Sequence, residues 1–494
     1  MWVSPNILGG HPAARSFRGA ASVGSRLLAC AAALAAAGCA AGESQGPQSL
    51  PTKAQPAQIV VDAGSVACQS FLGFGAEWDP KFWHDYNLKL GVTEKDWQLL
   101  VGRIRWMRMP IVRMMMLARW CTSGDGKFDW QTAEMKSLYR HLDVCQKLGI
   151  TVVLTDWGCA KQSWMKAPGL AGTADPAYAQ AVGTYLDYLL NQRGYSCIRY
   201  FVLTNEPNYF SEGWSAWKKG VQNVAAVLKK RHLDEQVVLV GADESNDEGW
   251  HRRAVEQLSR ILGAYDVHCY ANDWVLRPGR LEDFFRRHWQ HALAKDPEAA
   301  AKPFIVGEAG MHDGAVHPRG NRNIAKFEYG LLMADYAVQA ARAGSWAVIA
   351  WMMDDSSHEG FFWGLWPGKQ GRFKPRPWFY PWSLLCRCFP AGATILRPRQ
   401  LDPQLRVLAG RVKNAQAEDW SFCLVNRGPE AVHVSLLVPN GPRLSLKRYL
   451  YSRPSARADR DGFPVPVVTT PADLGKGTGL TCPANSVVFL TSLK

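Results

Sequence analysis

Between residues 71 and 390, strand-like apolar runs alternate with stretches whose apolar residues recur at helical spacing. The strand candidates are 71–77, 111–116, 150–156, 198–204, 237–242, 265–270, 303–307 and 346–351. Helix-period segments lie between them, at 131–148, 176–193, 215–231, 280–294 and 324–343. Eight strand–helix units in about 320 residues predict an α/β fold, a (β/α)8 TIM barrel. A doubly wound sheet would need a glycine-rich turn after its first strand, and none follows 71–77.

The pattern changes after Trp351. Residues 352–382 read as a long aromatic loop and 381–389 as a closing helix. Short alternating strands follow at 406–412, 420–426, 432–438, 448–451 and 486–490, separated by turn residues such as Asn426-Arg427-Gly428-Pro429 and Pro439-Asn440-Gly441-Pro442. They predict a C-terminal antiparallel β-sandwich over 391–494, behind a catalytic barrel over 58–390. An early strand at 59–62 is expected to join that sandwich, so residues 58–66 contribute to it.

The N-terminus reads as an export signal. Arg15, Arg18 and Arg26 precede an apolar stretch, Leu27 to Ala37, that is too short to span a bilayer. It ends in Ala36-Ala37-Gly38-Cys39, which resembles a bacterial lipobox, where cleavage precedes a cysteine that receives lipid. Residues 1–38 are therefore expected to be a lipoprotein signal peptide, with Cys39 lipidated and 39–57 a flexible tether rich in Gly, Ser, Gln and Pro. This implies an exported bacterial lipoprotein on the outer membrane or cell surface; a plain secretory signal, giving a secreted or periplasmic protein, is the alternative.

Composition narrows the chemistry. A 47% hydrophobic share excludes wholesale disorder. The net charge of +14 admits anionic partners, but there is no zinc-finger spacing and no phosphate-binding glycine loop. No nucleic-acid partner is expected. The 12 cysteines include no C-x-x-C pair and no histidine at metal spacing, so neither a metal nor an organic cofactor is implied. The 21 tryptophans supply flat apolar rings suited to sugar faces.

Catalysis in a barrel sits where strands end. The fourth predicted strand ends in Asn205-Glu206-Pro207-Asn208 and the seventh in Glu308-Ala309-Gly310. Burying an acid there without a partner is costly, and these strands face each other across the barrel mouth. Two opposed carboxylates are what glycosidic cleavage requires, one donating a proton and the other attacking the anomeric carbon.

Asn205-Glu206-Pro207 after strand four, with a glutamate ending strand seven, resembles clan A of the glycoside hydrolases, retaining (β/α)8 enzymes that cleave β-linked saccharides. The resemblance implies Glu206 as general acid/base, Glu308 as nucleophile and Asn205 as a partner for the sugar 2-hydroxyl. Arg113 matches the clan arginine supporting the nucleophile. His268-Cys269-Tyr270 resembles the His-x-Tyr of strand six, and Trp351 the aromatic floor after strand eight. Val306-Gly307-Glu308-Ala309-Gly310 is most similar to family 5. The opening Gly73-Phe74-Gly75, the segment Phe389-Pro390-Ala391-Gly392-Ala393 and the sandwich are more similar to families 30 and 39. Thr204 departs from both of those families and leaves the family open.

Further rim positions are Glu77-Trp78 after strand one and Asp156-Trp157 after strand three, read either as sugar contacts or as loop capping and packing. Phe361, Phe362, Trp363 and Trp366 form a stacking wall on one reading and packing on the other. Arg113 is expected to hold Glu308 ionised, and partial burial together with the negative charge opposite to keep Glu206 neutral at rest. Two other readings stand beside the hydrolase: a non-catalytic polysaccharide-binding lipoprotein on a glycosidase-like barrel, and a transglycosylase.

Overall fold

The computed structural model describes residues 57–494 apart from 124–125, 356–359, 400–401 and 414–416. The expected signal peptide, Cys39 and all but the last residue of the expected tether lie outside the described residues. Eight parallel strands close on themselves in a barrel. Numbered in chain order they are β1 (Gly73–Glu77), β2 (Ile111–Met116), β3 (Thr151–Asp156), β4 (Ile198–Leu203), β5 (Val238–Ser245), β6 (Ala264–Ala271), β7 (Phe304–Met311) and β8 (Ala347–Ala350). Nearly every residue in them is buried, as a sheet covered by helices outside and packed within requires.

Helices occupy the gaps, and local chemistry sets their ends. Thr93 and Asp96 form a reciprocal capping box on the helix Glu94–Met107. Thr132 caps Ala133–Leu148, which ends on Gly149 in the left-handed conformation. Asp175 caps Pro176–Asp187, with proline in the first turn where its missing N–H costs nothing.

The barrel interior is a packed layer of Ile111, Val153, Val202, Val240, Ala264, Ile305, Ala347 and Ile349. β1 contributes glycine instead. A Cβ on Gly75 would fall 2.1 Å from the Ile111 carbonyl oxygen, so only glycine lets β1 approach β2 this closely. Two bulges interrupt the ladders near the mouth. One makes Asp243 the extra residue of β5, and the other does the same for Gly307 of β7.

Apart from a short antiparallel pair, Ala315–Val316 with Gly320–Asn321, the remaining described strands form two facing sheets. The smaller has the order Ala57–Val60, Val432–Leu437, Thr478–Cys482, with the first pair parallel. The larger runs through Ser455–Ala456, Arg443–Ser452, Ser486–Thr491, Glu418–Asn426, Leu405–Lys413, Thr394–Leu396 and Val66–Cys68, with Val468–Asp473 beside Arg443–Ser452. Ile59, Leu405, Val407, Trp420, Phe422, Val434, Leu436 and Val488 fill the space between them.

A charged cluster joins the larger sheet to the barrel. Asp335, on the helix Phe327–Arg342, is fully buried and accepts from Arg427 at 2.9 Å, with Arg406 at 3.2 Å. Arg342 on the same helix pairs with Glu282 at 2.8 Å and donates to the carbonyls of Pro398 and Val407. Each buried charge here has an opposite partner, without which burial would be strongly unfavourable. The ten described cysteines, Cys68 through Cys482, are all buried and free, behaving as small core residues.

Candidate active site

At the C-terminal end of the barrel, Arg113 is the hub. Its position on β2 shares the inward parity of Ile111, so its guanidinium rises from the apolar layer into the mouth with no exposed surface. It donates to Glu308 Oε1 at 2.7 Å, to Asn205 Oδ1 at 2.8 Å and to Asp243 Oδ2 at 2.9 Å. A guanidinium can only donate, so it fixes the orientation of the Asn205 amide: Oδ1 faces Arg113 and the NH2 is left for another acceptor.

Glu308 lies within β7 rather than at its end, since the ladder runs on to Met311. Its other oxygen, Oε2, accepts from the Tyr270 hydroxyl at 2.7 Å. Glu206 follows β4 on a strained turn, with φ of 73° at Thr204 and 41° at Glu206. Left-handed backbone at non-glycine residues costs on the order of 1–3 kcal/mol each and persists only where neighbours hold it. The restraints are Asp243, whose Oδ2 accepts the Glu206 N–H at 3.2 Å, and Asp156, whose carbonyl accepts the Asn205 N–H at 2.9 Å.

His268 bridges the two glutamates. Its Nδ1 is 3.1 Å from Glu206 Oε1 and 3.6 Å from Glu308 Oε1, while Nε2 is 3.1 Å from Asp243 Oδ1. One oxygen of each glutamate and a ring nitrogen of His268 lie within 4.8 Å of one another. One atom each of Asp243, Asp266 and His268 also lies within 4.8 Å of the others. Both have the spacing of metal ligands, but Arg113 already lies against Glu308 and Asp243 and supplies the positive charge a cation would bring.

The electrostatics follow from burial and these contacts. Burial pulls the His268 imidazolium down, but Glu308 and Asp243 outweigh it and hold the ring well above its ordinary value. Burial would raise Asp243; Arg113 and His268 instead bring it to about 2. Burial raises Glu308 above the usual carboxylate value, opposed by His268 and then Arg113. Arg113 thus favours the ionised form of Glu308, as expected, but burial works against it. Desolvation of a fully enclosed carboxylate is the larger effect, and His268 contributes more than the arginine.

The remaining rim positions divide. The half-buried ring of Trp157 sits edge-on to Trp164 at 5.2 Å and to Phe210 at 5.8 Å. Trp351 directly follows β8, with the inward parity of Ala347 and Ile349, and its backbone N–H donates to the Ala309 carbonyl. Trp78 and Asp156 are corrected as sugar contacts, because both face outward. Trp78 stacks on Trp97 at 5.5 Å and lies 4.6 Å from the His141 ring. Asp156 accepts from the Tyr185 hydroxyl at 2.9 Å and from the Gly158 N–H at 2.8 Å. Glu77 points inward but is sealed from solvent, and neither carboxyl oxygen has a hydrogen-bond partner. Burial and then Asp79 push it well above the carboxylate range, so it is a neutral acid beneath the site. Of the loop aromatics, Trp363 lies 5.7 Å from both Tyr270 and His317, whereas Trp366 is fully buried under Arg103.

Sequence reasoning missed Asp243 and Asp266. Asp243 follows an apolar run as Glu206 and Glu308 do, and Asp266 stands two positions before His268, on the same face of the strand. Both signals were present.

The fold is shared with solved structures of glycoside hydrolases of families 30 and 39. Among solved structures, a family 30 endoxylanase from Clostridium papyrosolvens superposes with a TM-score of 0.63 at 13% identity, over 89% of this chain and 100% of that one. A family 39 β-xylosidase from Caulobacter crescentus gives 0.59 at 15% identity, over 88% and 99%. A conserved exported protein from Bacteroides fragilis gives 0.63 at 12% identity, over 88% and 100%. No family model and no curated protein matches the sequence.

Proposed function

We propose that this protein is a retaining glycoside hydrolase acting on a β-linked poly- or oligosaccharide, with Glu206 as acid/base and Glu308 as nucleophile. The observation that carries the reading is that one carboxyl oxygen of Glu206 and one of Glu308 lie within 4.8 Å of each other at the barrel mouth. Retaining enzymes hold their pair about 5–5.5 Å apart, and inverting ones about 6.5–9.5 Å to admit a water.

The contacts assign the roles. Glu308 is anchored through both oxygens, by Arg113 and Tyr270, which suits an atom that must attack along one line. Glu206 is freer, with its side chain 17% exposed. A charged His268 donates through Nδ1 to Glu206 Oε1, leaving Oε2 to carry the proton to the leaving oxygen. Once Glu308 is bonded to the anomeric carbon its negative charge is gone, and Glu206 can take a proton from the incoming water. The Asn205 NH2, oriented by Arg113, is the group available to a sugar hydroxyl. Trp157, Trp164 and Phe210 offer apolar faces beside the acid/base turn.

The endoxylanase and β-xylosidase among the structural neighbours make β-xylan and its oligomers the first substrates to try, followed by β-glucans and mannans. The expected result is new reducing ends, with proton NMR showing the β-anomer first. A retained ligand with no new reducing end is the result for a non-catalytic binding protein on the same barrel. Products longer than the substrate are the result for a transglycosylase.

On sequence alone, the proposal extends to export and lipid anchoring at Cys39. Among the described residues no helix is long and apolar enough to cross a membrane. A membrane-fraction protein whose mature N-terminal peptide begins at a diacylglyceryl-Cys39 supports this; a mature N-terminus at any other residue refutes it.

A further inference from the structure

Two aspartates under the catalytic pair each grip backbone next to a catalytic glutamate. Asp243 Oδ2 accepts the N–H of Glu206 itself at 3.2 Å. Asp266 Oδ1 accepts the N–H of Gly307, the residue before Glu308, at 3.0 Å. The bulges explain why side chains are needed there. Gly307 is the extra residue of β7, so its N–H sits outside the regular exchange with β6, and Asp243 is the extra residue of β5, turned inward beside Asp266. Gly307 also has to be glycine: a Cβ would lie 2.5 Å from both carboxyl oxygens of Asp266.

The aspartates meet each other as well. Atoms of Asp243, Asp266 and His268 fall within 4.8 Å of one another, and a side-chain bond to Asp243 is among the causes that raise the Asp266 carboxyl. Two carboxyl groups can bond in this way only when one holds a proton. Asp266 Oδ2 is buried with no donor to accept from, whereas Asp243 already accepts from Arg113, His268 and the Glu206 N–H. The proton therefore belongs on Asp266, whose carboxyl donates to the Asp243 carboxylate. Burial and the neighbouring Asp243 charge push Asp266 in the same direction, with His268 and Arg113 opposing.

We propose that Asp266 and Asp243 form a two-carboxyl clamp that sets the separation of Glu206 and Glu308, making Asp266 a positioning residue for catalysis. The clamp touches no substrate and acts through two backbone N–H groups, that of Glu206 after β4 and that of Gly307 in β7. The catalytic part rests on the reading of Glu206 and Glu308 given above; the shared proton does not.

Asp266→Asn keeps both bonds, because its amide oxygen accepts from Gly307 and its NH2 donates to Asp243. It should retain kcat within about threefold. Asp266→Ala loses both and should lower kcat by about 10²-fold with KM little changed, the size expected of a misplaced reacting group. Gly307→Ala should act alike by pushing the carboxyl aside, and it serves if Asp266→Ala does not fold.

Thermal unfolding from about pH 4 to pH 8 tests the proton without any substrate. Native Asp266 stays neutral above the pH at which the unfolded chain ionises it, so unfolding releases a proton and this group's contribution falls as pH rises. The Tm of Asp266→Asn relative to the parent should therefore climb steadily with pH. Parallel curves would overturn the shared proton. An Asn variant as impaired as the Ala variant, or an Ala variant with parental kcat, would overturn the clamp. A parent lacking glycosidase activity while the Tm curves diverge would instead fault the functional reading alone.

Discussion

Glu308→Ala is expected to lower turnover by about 10⁴-fold or more, the scale on which removing a covalent nucleophile acts. Nothing else can replace it on that side of the sugar. Tyr270, which donates to Glu308 Oε2, is held in its neutral form by burial and the adjacent Glu308 charge, and Arg113 is only a donor. The truncated side chain leaves room for a small anion beside Arg113 and His268. Azide should enter there and restore turnover with activated aryl glycosides. Because it attacks from the nucleophile's face and no second displacement follows, the product from a β-glycoside should be the α-glycosyl azide. A β-glycosyl azide would transfer the nucleophile role to another residue, and undiminished turnover would end the assignment of Glu308.

Arg113→Met should cost about 3–5 kcal/mol of stability, as breaking a buried ion pair from one side does. The fully buried guanidinium has opposite charges at 2.7 Å in Glu308 and 2.9 Å in Asp243, and methionine fills much of its volume without replacing either bond. The loss should also depend on pH. With Arg113 present, Asp243 stays ionised down to about 2, below its unfolded value of 3.8. That contribution is complete above the unfolded value and fades as pH falls through the folded one. The gap between parent and variant in urea denaturation should therefore hold from pH 7 to about pH 4 and narrow below that, toward pH 2. A gap that stayed constant would mean the arginine stabilises through packing alone.

The barrel was legible because each strand carries an unbroken apolar run, and the same property hid the details. In a parallel sheet both faces are apolar, so hydrophobicity does not tell inward from outward positions. Asp156 and Trp78 looked like rim residues and proved to face the helices. Strand ends were misjudged for a related reason. At the mouth the ladder continues through polar inward residues, so β5 reaches Ser245 and β7 reaches Met311, well past the apolar runs. Asp243 fell in that extension. The facing glutamates, Glu206 and Glu308, were readable because an isolated acid after an apolar strand is rare without a purpose. The Trp363–His317 contact was not, because it joins two loops that no periodicity relates.

The parallel pairing of Ala57–Val60 with Val432–Leu437 also bears on how the chain is made. During ribosomal synthesis at about 5–20 residues per second, the first strand waits roughly 20–75 s for its partner to emerge. Throughout that interval the intervening barrel sequence is already available to fold, while the early strand has no hydrogen-bonding neighbour. Pairing is then a late join between segments far apart in the nascent chain, and that interval is when holdase chaperones or mispairing with another copy compete for the waiting segment.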